Sequence, residues 1–171
     1  LDALYEIFAK PQLSGVSNPD NPSIYIRHQV GQEILGGYKI ENVFEDSPTG
    51  FYAEGRVSLN PAYPPVLVIR GYGSWYPFDR VLEDTPEVFI ANLERQLKAA
   101  ETQGAIHWLQ QYTQSGNKPD LIGESLGGKV AQQIAAKYPN FIRSTVTFNA
   151  LGVSRQVKET SKAENVFHYF T

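Results

Sequence analysis

One short segment places a serine in a pattern typical of acyl-transfer enzymes. Gly123-Glu124-Ser125-Leu126-Gly127 fits G-x-S-x-G, the motif of a serine nucleophile on a sharp strand-to-helix turn. The residues before it, 120–122, read as a short strand, and apolar residues recur after it at helical spacing. On such a turn the serine Oγ stands exposed above the sheet, and side chains at Gly123 or Gly127 would collide with the neighbouring backbone. The segment predicts Ser125 as a catalytic nucleophile.

A serine that attacks a carbonyl also needs two donors for the oxyanion that forms. The backbone N–H of Leu126, which follows the serine, is the first candidate. The second is expected from the loop after an earlier core strand, and Arg70-Gly71-Tyr72-Gly73-Ser74 directly follows the apolar run 66–69. We expect the N–H of Tyr72 to be this second donor, with Gly73 as the alternative.

Two other interpretations of the same segment remain open. It could be a tight turn with an incidental serine. Gly123-x-x-x-x-Gly128-Lys129 also matches most of a phosphate-binding P-loop, although Val130 stands where Ser or Thr should hold Mg²⁺. No later strand ends in the aspartate that such nucleotide sites use.

The elements around the motif predict an α/β fold. A short helix at 2–9 and a loop at 11–22 precede two strands, 38–44 and 51–59, which read as an antiparallel hairpin. Strands are then predicted at 66–69, 120–122, 144–148 and 166–170. Helices are predicted from Thr85 to about Tyr112, with Gly104 as a weak point, and after the motif. This alternation is typical of a mostly parallel sheet flanked by helices. We expect one domain over 1–171, with the N-terminal helix and hairpin in 1–60 and the core in 61–171.

Composition excludes several classes of protein. Apolar residues make up 42% of the 171 residues, enough for a core, and the net charge of −3 argues against binding nucleic acid through its phosphates. The absence of Cys excludes disulfide scaffolds and thiol catalysis. No apolar stretch approaches the roughly 18 residues of a membrane span. No spacing of His or acidic residues predicts a metal site, and no cofactor is expected.

The motif and its surroundings resemble the fungal-type triacylglycerol lipases of the α/β-hydrolase fold. In that family the strand-to-helix turn that carries the serine, called the nucleophile elbow, usually reads Gly-His-Ser-Leu-Gly-Gly. The segment 68–72 resembles their Phe-Arg-Gly-Thr/Ser oxyanion segment, and 146–150 resembles the strand after the elbow helix. The resemblance covers roughly residues 66–171. It implies hydrolysis of a carboxylic or lipid ester through an acyl-enzyme on Ser125. Glu124 replaces the usual His, and Tyr72 replaces a residue whose side-chain hydroxyl would face the oxyanion.

The acid and the histidine of a triad should follow the serine in sequence. After Ser125 the chain offers only Glu159, Glu164 and His168. His168 falls within a strand, where its side chain should point to a sheet face and not towards the serine. We therefore expect the chain to be a piece of a longer polypeptide, inactive by itself, with the acid and the base encoded beyond residue 171. A non-catalytic, hydrolase-like binding module is the chief alternative.

For some other residues a functional role can be suggested, but a role in packing or at the surface is simpler. Four apolar residues after the oxyanion loop could form a lid or acyl-chain wall, but they could equally fill space beneath a loop: Trp75, Tyr76, Phe78 and Val81. His28 and His107 precede the serine, contrary to the order of a triad in this fold, and are expected to serve packing or the surface.

Overall fold

The structure is a computed structural model that describes residues 2–9, 17–18, 21–25, 27–71, 86–148, 150 and 165–169. In chain order its elements are α1 (Asp2–Ala9), β1 (Ser17–Asn18), β2 (Asn21–Tyr25), β3 (Glu33–Ile34), β4 (Tyr38–Asp46), β5 (Phe51–Ser58), β6 (Val66–Ile69), α2 (Pro86–Thr102), α3 (Ala105–Gln114), β7 (Asp120–Glu124), α4 (Leu126–Lys137), a 3₁₀ turn (Pro139–Phe141), β8 (Ser144–Phe148) and β9 (Val166–Tyr169).

A single seven-stranded sheet organises these elements, in the order β3-β4-β5-β6-β7-β8-β9. Strands β3 to β6 pair antiparallel, and β6 to β9 pair parallel. The predicted α/β class is confirmed. The hairpin does not merely precede the parallel strands but extends their sheet, because β5 pairs with β6.

Helices cover both faces of the sheet. On one face α2, α3 and α4 enclose an apolar core that includes Leu67, Ile69, Leu121 and Leu126. On the other face α1 packs Tyr5 and Phe8 against residues of the opposite strand faces: Tyr38, Val66, Val68, Ile122, Val146 and Phe148. Strand β6 contributes to both cores and is buried along its whole length, as its unbroken apolar run predicts.

Two sequence predictions need correction. The helix expected from Thr85 to about Tyr112 is two helices, because the chain passes through Gly104 with φ 92°, a left-handed conformation that ends one helix and begins the next. The loop expected over 11–22 contains β1 and the first residues of β2, which pair with each other apart from the main sheet. The many turn-forming residues in this segment predicted a loop, and strands as short as β1 give too weak a sequence pattern to be recognised.

Among the described residues, no helix is both long enough and apolar enough to cross a membrane.

Candidate functional site

Ser125 forms the whole connection between β7 and α4. Its φ of 52° and ψ of −122° make it the one residue other than glycine with a positive φ in the described part of the chain. The turn is fixed on both sides: the Ser125 N–H donates to the Phe148 carbonyl at 3.0 Å, and the Ser125 carbonyl accepts from the N–H of Gly128 at 3.1 Å. Such a conformation costs an L-residue about 1–3 kcal/mol and persists only where the surroundings impose it.

The glycines on either side of Ser125 allow the backbone of this turn to approach its neighbours. A Cβ on Gly123 would lie 2.5 Å from the Gly127 carbonyl carbon and 2.6 Å from the Gly128 nitrogen. A Cβ on Gly127 would lie 2.5 Å from the carbonyl carbon and oxygen of Arg70 and would also collide with the Ile69 carbonyl oxygen. Since backbone atoms cannot move aside as a side-chain tip can, helix α4 can sit this close to β6 and β7 only with glycine at both positions.

The segment that leaves β6 passes directly beside Ser125. A Cβ on Gly71 would lie 3.3 Å from the Ser125 Cβ and 3.0 Å from the Glu124 carbonyl oxygen. The expected oxyanion donor Tyr72, and Gly73 with it, lie outside the described residues. Leu126 is the first residue of α4, so its N–H belongs to the first turn, where helices offer no internal partner.

None of the histidine side chains that the structure describes lies next to Ser125. His168 pairs with Thr147, which pairs with Gly123, so His168 lies two strands from β7, about 10 Å away at the usual strand spacing. Its Nδ1 is 2.7 Å from Thr147 Oγ1, on the neighbouring strand. His107 is exposed on α3. The other candidates, Glu159, Glu164 and the aromatic segment 75–81, lie outside the described residues.

A buried cluster of charges, which the sequence analysis missed, lies on the α1 face near the same end of the sheet. The Glu54 carboxylate is 1% exposed. It accepts hydrogen bonds from Arg56 Nε at 3.0 Å, Arg56 Nη2 at 2.6 Å and the Tyr52 hydroxyl at 2.8 Å. His28 Nδ1 lies 3.1 Å from both carboxylate oxygens, and Arg70 Nη2 lies 3.6 Å from Oε1.

These partners keep Glu54 ionised inside the protein. Burial by itself would raise the pKa of Glu54, but the hydrogen bond from His28 and the positive charges of Arg56 and Arg70 outweigh it and hold the pKa well below its usual range. The sequence signal was the pair Glu54 and Arg56, two residues apart in a strand. Alternating charged residues are typical of a solvated sheet face, but here α1 covers that face, with Phe8 stacked 4.7 Å from the Arg56 guanidinium.

The opposite end of β7 carries a second buried carboxylate, Asp120. It accepts hydrogen bonds from the Tyr5 hydroxyl of α1 and from Arg143, whose Nε lies 2.8 Å from Oδ1. Burial and the hydrogen bond to Asp120 raise the pKa of the Tyr5 phenol above its usual range. This end of the strand therefore connects α1, β7 and the start of β8.

The length of the connection between β7 and α4 can be compared with that of a P-loop. A P-loop wraps its backbone around phosphates between strand and helix. Here one residue separates the end of β7 from the start of α4, and Gly127, Gly128 and Lys129 already belong to the first turn of the helix. The described residues also contain no group of three or more acidic or histidine side chains that could hold a metal ion.

Of the comparisons with known proteins, the one with solved structures finds similar chains. No protein-family model matches the chain, and no curated protein matches it. Among solved structures, a triacylglycerol lipase from Penicillium expansum is similar, with 15% sequence identity and a TM-score of 0.46. The similarity covers 83% of this chain and 61% of that lipase, so the chain spans less than two thirds of the lipase's length.

Proposed function

We propose that the protein is a serine hydrolase of carboxylic esters, lipase- or esterase-like, acting through an acyl-enzyme on Ser125. The observation that carries the proposal is the backbone of Ser125, held at a positive φ between two glycines on a one-residue strand-to-helix turn. A conformation that costs stability at a serine is expected where the hydroxyl must be presented to a substrate.

In the proposed reaction, Ser125 Oγ attacks the ester carbonyl carbon while a general base takes the hydroxyl proton. The N–H groups of Leu126 and Tyr72 donate to the oxyanion. A Cβ on Gly71, the residue before Tyr72, would lie 3.3 Å from the Ser125 Cβ, and this proximity supports the assignment to Tyr72. The tetrahedral intermediate collapses with loss of the alcohol, which takes up the proton from the base. Water, activated by the same base, then attacks the acyl-enzyme and releases the acid and the free serine.

The proposal requires a base from outside the 171 residues. The chain has three histidines: His28 is engaged with Glu54, His107 is exposed on α3, and His168 lies two strands from β7. We therefore place the triad's acid and histidine beyond residue 171 of the natural polypeptide. The rival, a hydrolase-like module without catalysis, predicts that no such histidine exists.

Reaction of the natural polypeptide with a fluorophosphonate tests the proposal, since this reagent forms a covalent adduct only with an activated serine. We expect one adduct, mapped to Ser125, and hydrolysis of p-nitrophenyl esters. Ser125→Ala should abolish the adduct and lower kcat/KM by about a thousand-fold or more. Ser115→Ala is the matched control, because Ser115 is an exposed serine at a helix end. No adduct on the natural polypeptide, or unchanged hydrolysis after Ser125→Ala, would contradict the proposal.

A further inference from the structure

The backbone beside Ser125 is connected to the buried carboxylate of Glu54 through Arg70 and Tyr52. The Arg70 N–H donates to the Tyr52 carbonyl at 3.0 Å, and the Arg70 guanidinium stacks 4.2 Å from the centre of the Tyr52 ring. The Tyr52 hydroxyl in turn donates to Glu54 at 2.8 Å. These contacts join Arg70 to the pair of Tyr52 and Glu54.

Glu54 is the carboxylate that faces two guanidinium groups in this cluster. Arg56 is 2% exposed and bonds to it directly, and Arg70, with a side chain 12% exposed, lies 3.6 Å away. A buried charge without a partner is strongly unfavourable. Loss of the negative charge would leave two positive groups facing each other, and Arg70, the more exposed of the two, is the one that can turn towards solvent.

Movement of Arg70 would be transmitted directly to the site. Gly71 follows Arg70, and a Cβ on Gly71 would lie 3.3 Å from the Ser125 Cβ; a Cβ on Gly127 would lie 2.5 Å from the Arg70 carbonyl carbon and oxygen. An oxyanion donor is effective only when it is already in place as the charge develops. A small shift of this segment therefore weakens the stabilisation of the transition state while leaving substrate binding largely unaffected.

We propose that Glu54 is a positioning residue, which acts through Arg70 and Tyr52 to hold the Arg70–Gly71 backbone against Ser125. The inference rests on the proposed function for its catalytic consequence, but the structural part, that Glu54 fixes Arg70, can be measured without any activity.

Amide hydrogen exchange tests the structural part. In Glu54→Gln we expect the Arg70 amide to exchange about ten-fold faster relative to the amides of β7. Arg70→Gln leaves Glu54 with Arg56, His28 and Tyr52, and serves as the second variant if Glu54→Gln does not fold. It should accelerate the amide at position 70 to a similar extent. When both are changed, Glu54→Gln should add less than about two-fold, because the two substitutions break the same connection.

Glu41→Gln is the matched control. Glu41 also accepts side-chain hydrogen bonds, from Trp108 Nε1 at 2.7 Å and the Tyr112 hydroxyl at 2.8 Å. Both donors lie on α3, and neither bond involves Arg70. The substitution should leave the exchange at Arg70 unchanged relative to β7. Equal acceleration of Arg70 and β7 amides in Glu54→Gln, or an effect of Glu41→Gln on Arg70 as large as that of Glu54→Gln, would overturn the inference.

Kinetics on the natural polypeptide test the catalytic part. Glu54→Gln and Arg70→Gln should each lower kcat by about ten-fold with little change in KM, and Arg70→Lys should restore part of the loss. An unchanged kcat, or an increase in KM alone, overturns the positioning role. If the unsubstituted protein does not react with a fluorophosphonate, the proposed function fails, and the exchange experiment still decides whether Glu54 holds Arg70.

Discussion

Strand β7 begins at Asp120, whose buried carboxylate accepts hydrogen bonds from Tyr5 and Arg143. It ends directly before Ser125, whose backbone is strained and which lies between Gly123 and Gly127. At the first end, side chains fill the space and satisfy the charge, so the geometry stabilises the fold. At the second end, side chains are excluded and the backbone of α4 lies against that of β6. The contrast teaches that one strand can be built for stability at one end and for presentation of a backbone turn at the other.

Of the substitutions at the two ends of β7, Gly127→Ala should have the largest effect on the free energy of unfolding. Its Cβ would meet backbone atoms of Ile69 and Arg70, so α4 must move away from β6, and we expect a loss of about 3 kcal/mol in the free energy of unfolding, measured by urea denaturation. Gly116→Ala is the control for a cost that does not come from a collision: unlike helical Gly127, Gly116 has a positive φ, at 85°, but nothing lies within 4 Å of its Cβ position. Only the conformational cost of about 1 kcal/mol is expected there. Equal losses would show that the close approach at Gly127 is not rigid.

Asp120→Asn should cost less, about 2 kcal/mol, because it removes the charge facing Arg143 while the amide oxygen still accepts from Tyr5. Arg143 is half-exposed, so it can be solvated. The labelling of Ser125 by a fluorophosphonate should stay unchanged at temperatures where the variant is folded. Glu45→Gln, which breaks the more exposed pair with Arg27, should cost under about 1 kcal/mol. A large drop in labelling with Asp120→Asn would mean that the two ends of β7 are not independent.

Ser125→Gly should stabilise the protein relative to Ser125→Ala. Both variants lose the hydroxyl, but glycine adopts a φ of 52° without strain, so we expect a difference of about 1 kcal/mol in thermal or urea unfolding. If the alanine variant is as stable as the glycine variant, the turn is not strained and the argument for presentation of the serine is lost.

The smallest effect concerns Tyr38, which packs near Asp120 and donates to the Pro64 carbonyl at 3.0 Å. At neutral pH Tyr38→Phe should cost about 1 kcal/mol. Burial, together with the negative charge of Asp120, raises the pKa of Tyr38 to about 12. The phenol therefore stabilises the fold fully below pH 10, the ordinary value, and this contribution falls as the pH rises through about 12. Urea midpoints of the two proteins should converge over that range, and a constant gap would contradict the assignment.

The sequence predicted the strands well where burial is uniform and less well where the strands are very short, as in β1 and β2. Val66–Ile69 matches the structure at both ends, because an unbroken apolar run is typical of a strand covered on both faces. Ser144–Phe148 also matches at both ends, and its β-branched residues are typical of strands. The motif at 123–127 predicted a strand-to-helix turn at Ser125, and the turn is there.

The sequence could not predict the cluster at Glu54. Whether Glu54 and Arg56 face solvent or the protein interior depends on where α1 packs, and that is decided by contacts between residues far apart in the chain. The assignments to Leu126 and Tyr72 remain predictions, since local sequence fixes which residues follow a strand but not which N–H groups converge on one point.

The change in strand direction at β6 also has a consequence for the order in which the molecule folds. Asp46 pairs with Phe51 across a short turn, whereas Val66 pairs with Asp120 only after a long segment of chain has been closed. Long-range parallel pairing is slow, so we expect the β4–β5 hairpin to form early and the strained turn at Ser125 to form late. Pulse-labelling exchange should protect the amides of β5 before those of β7, and newly made chains should pass through a state with a formed hairpin and no assembled site.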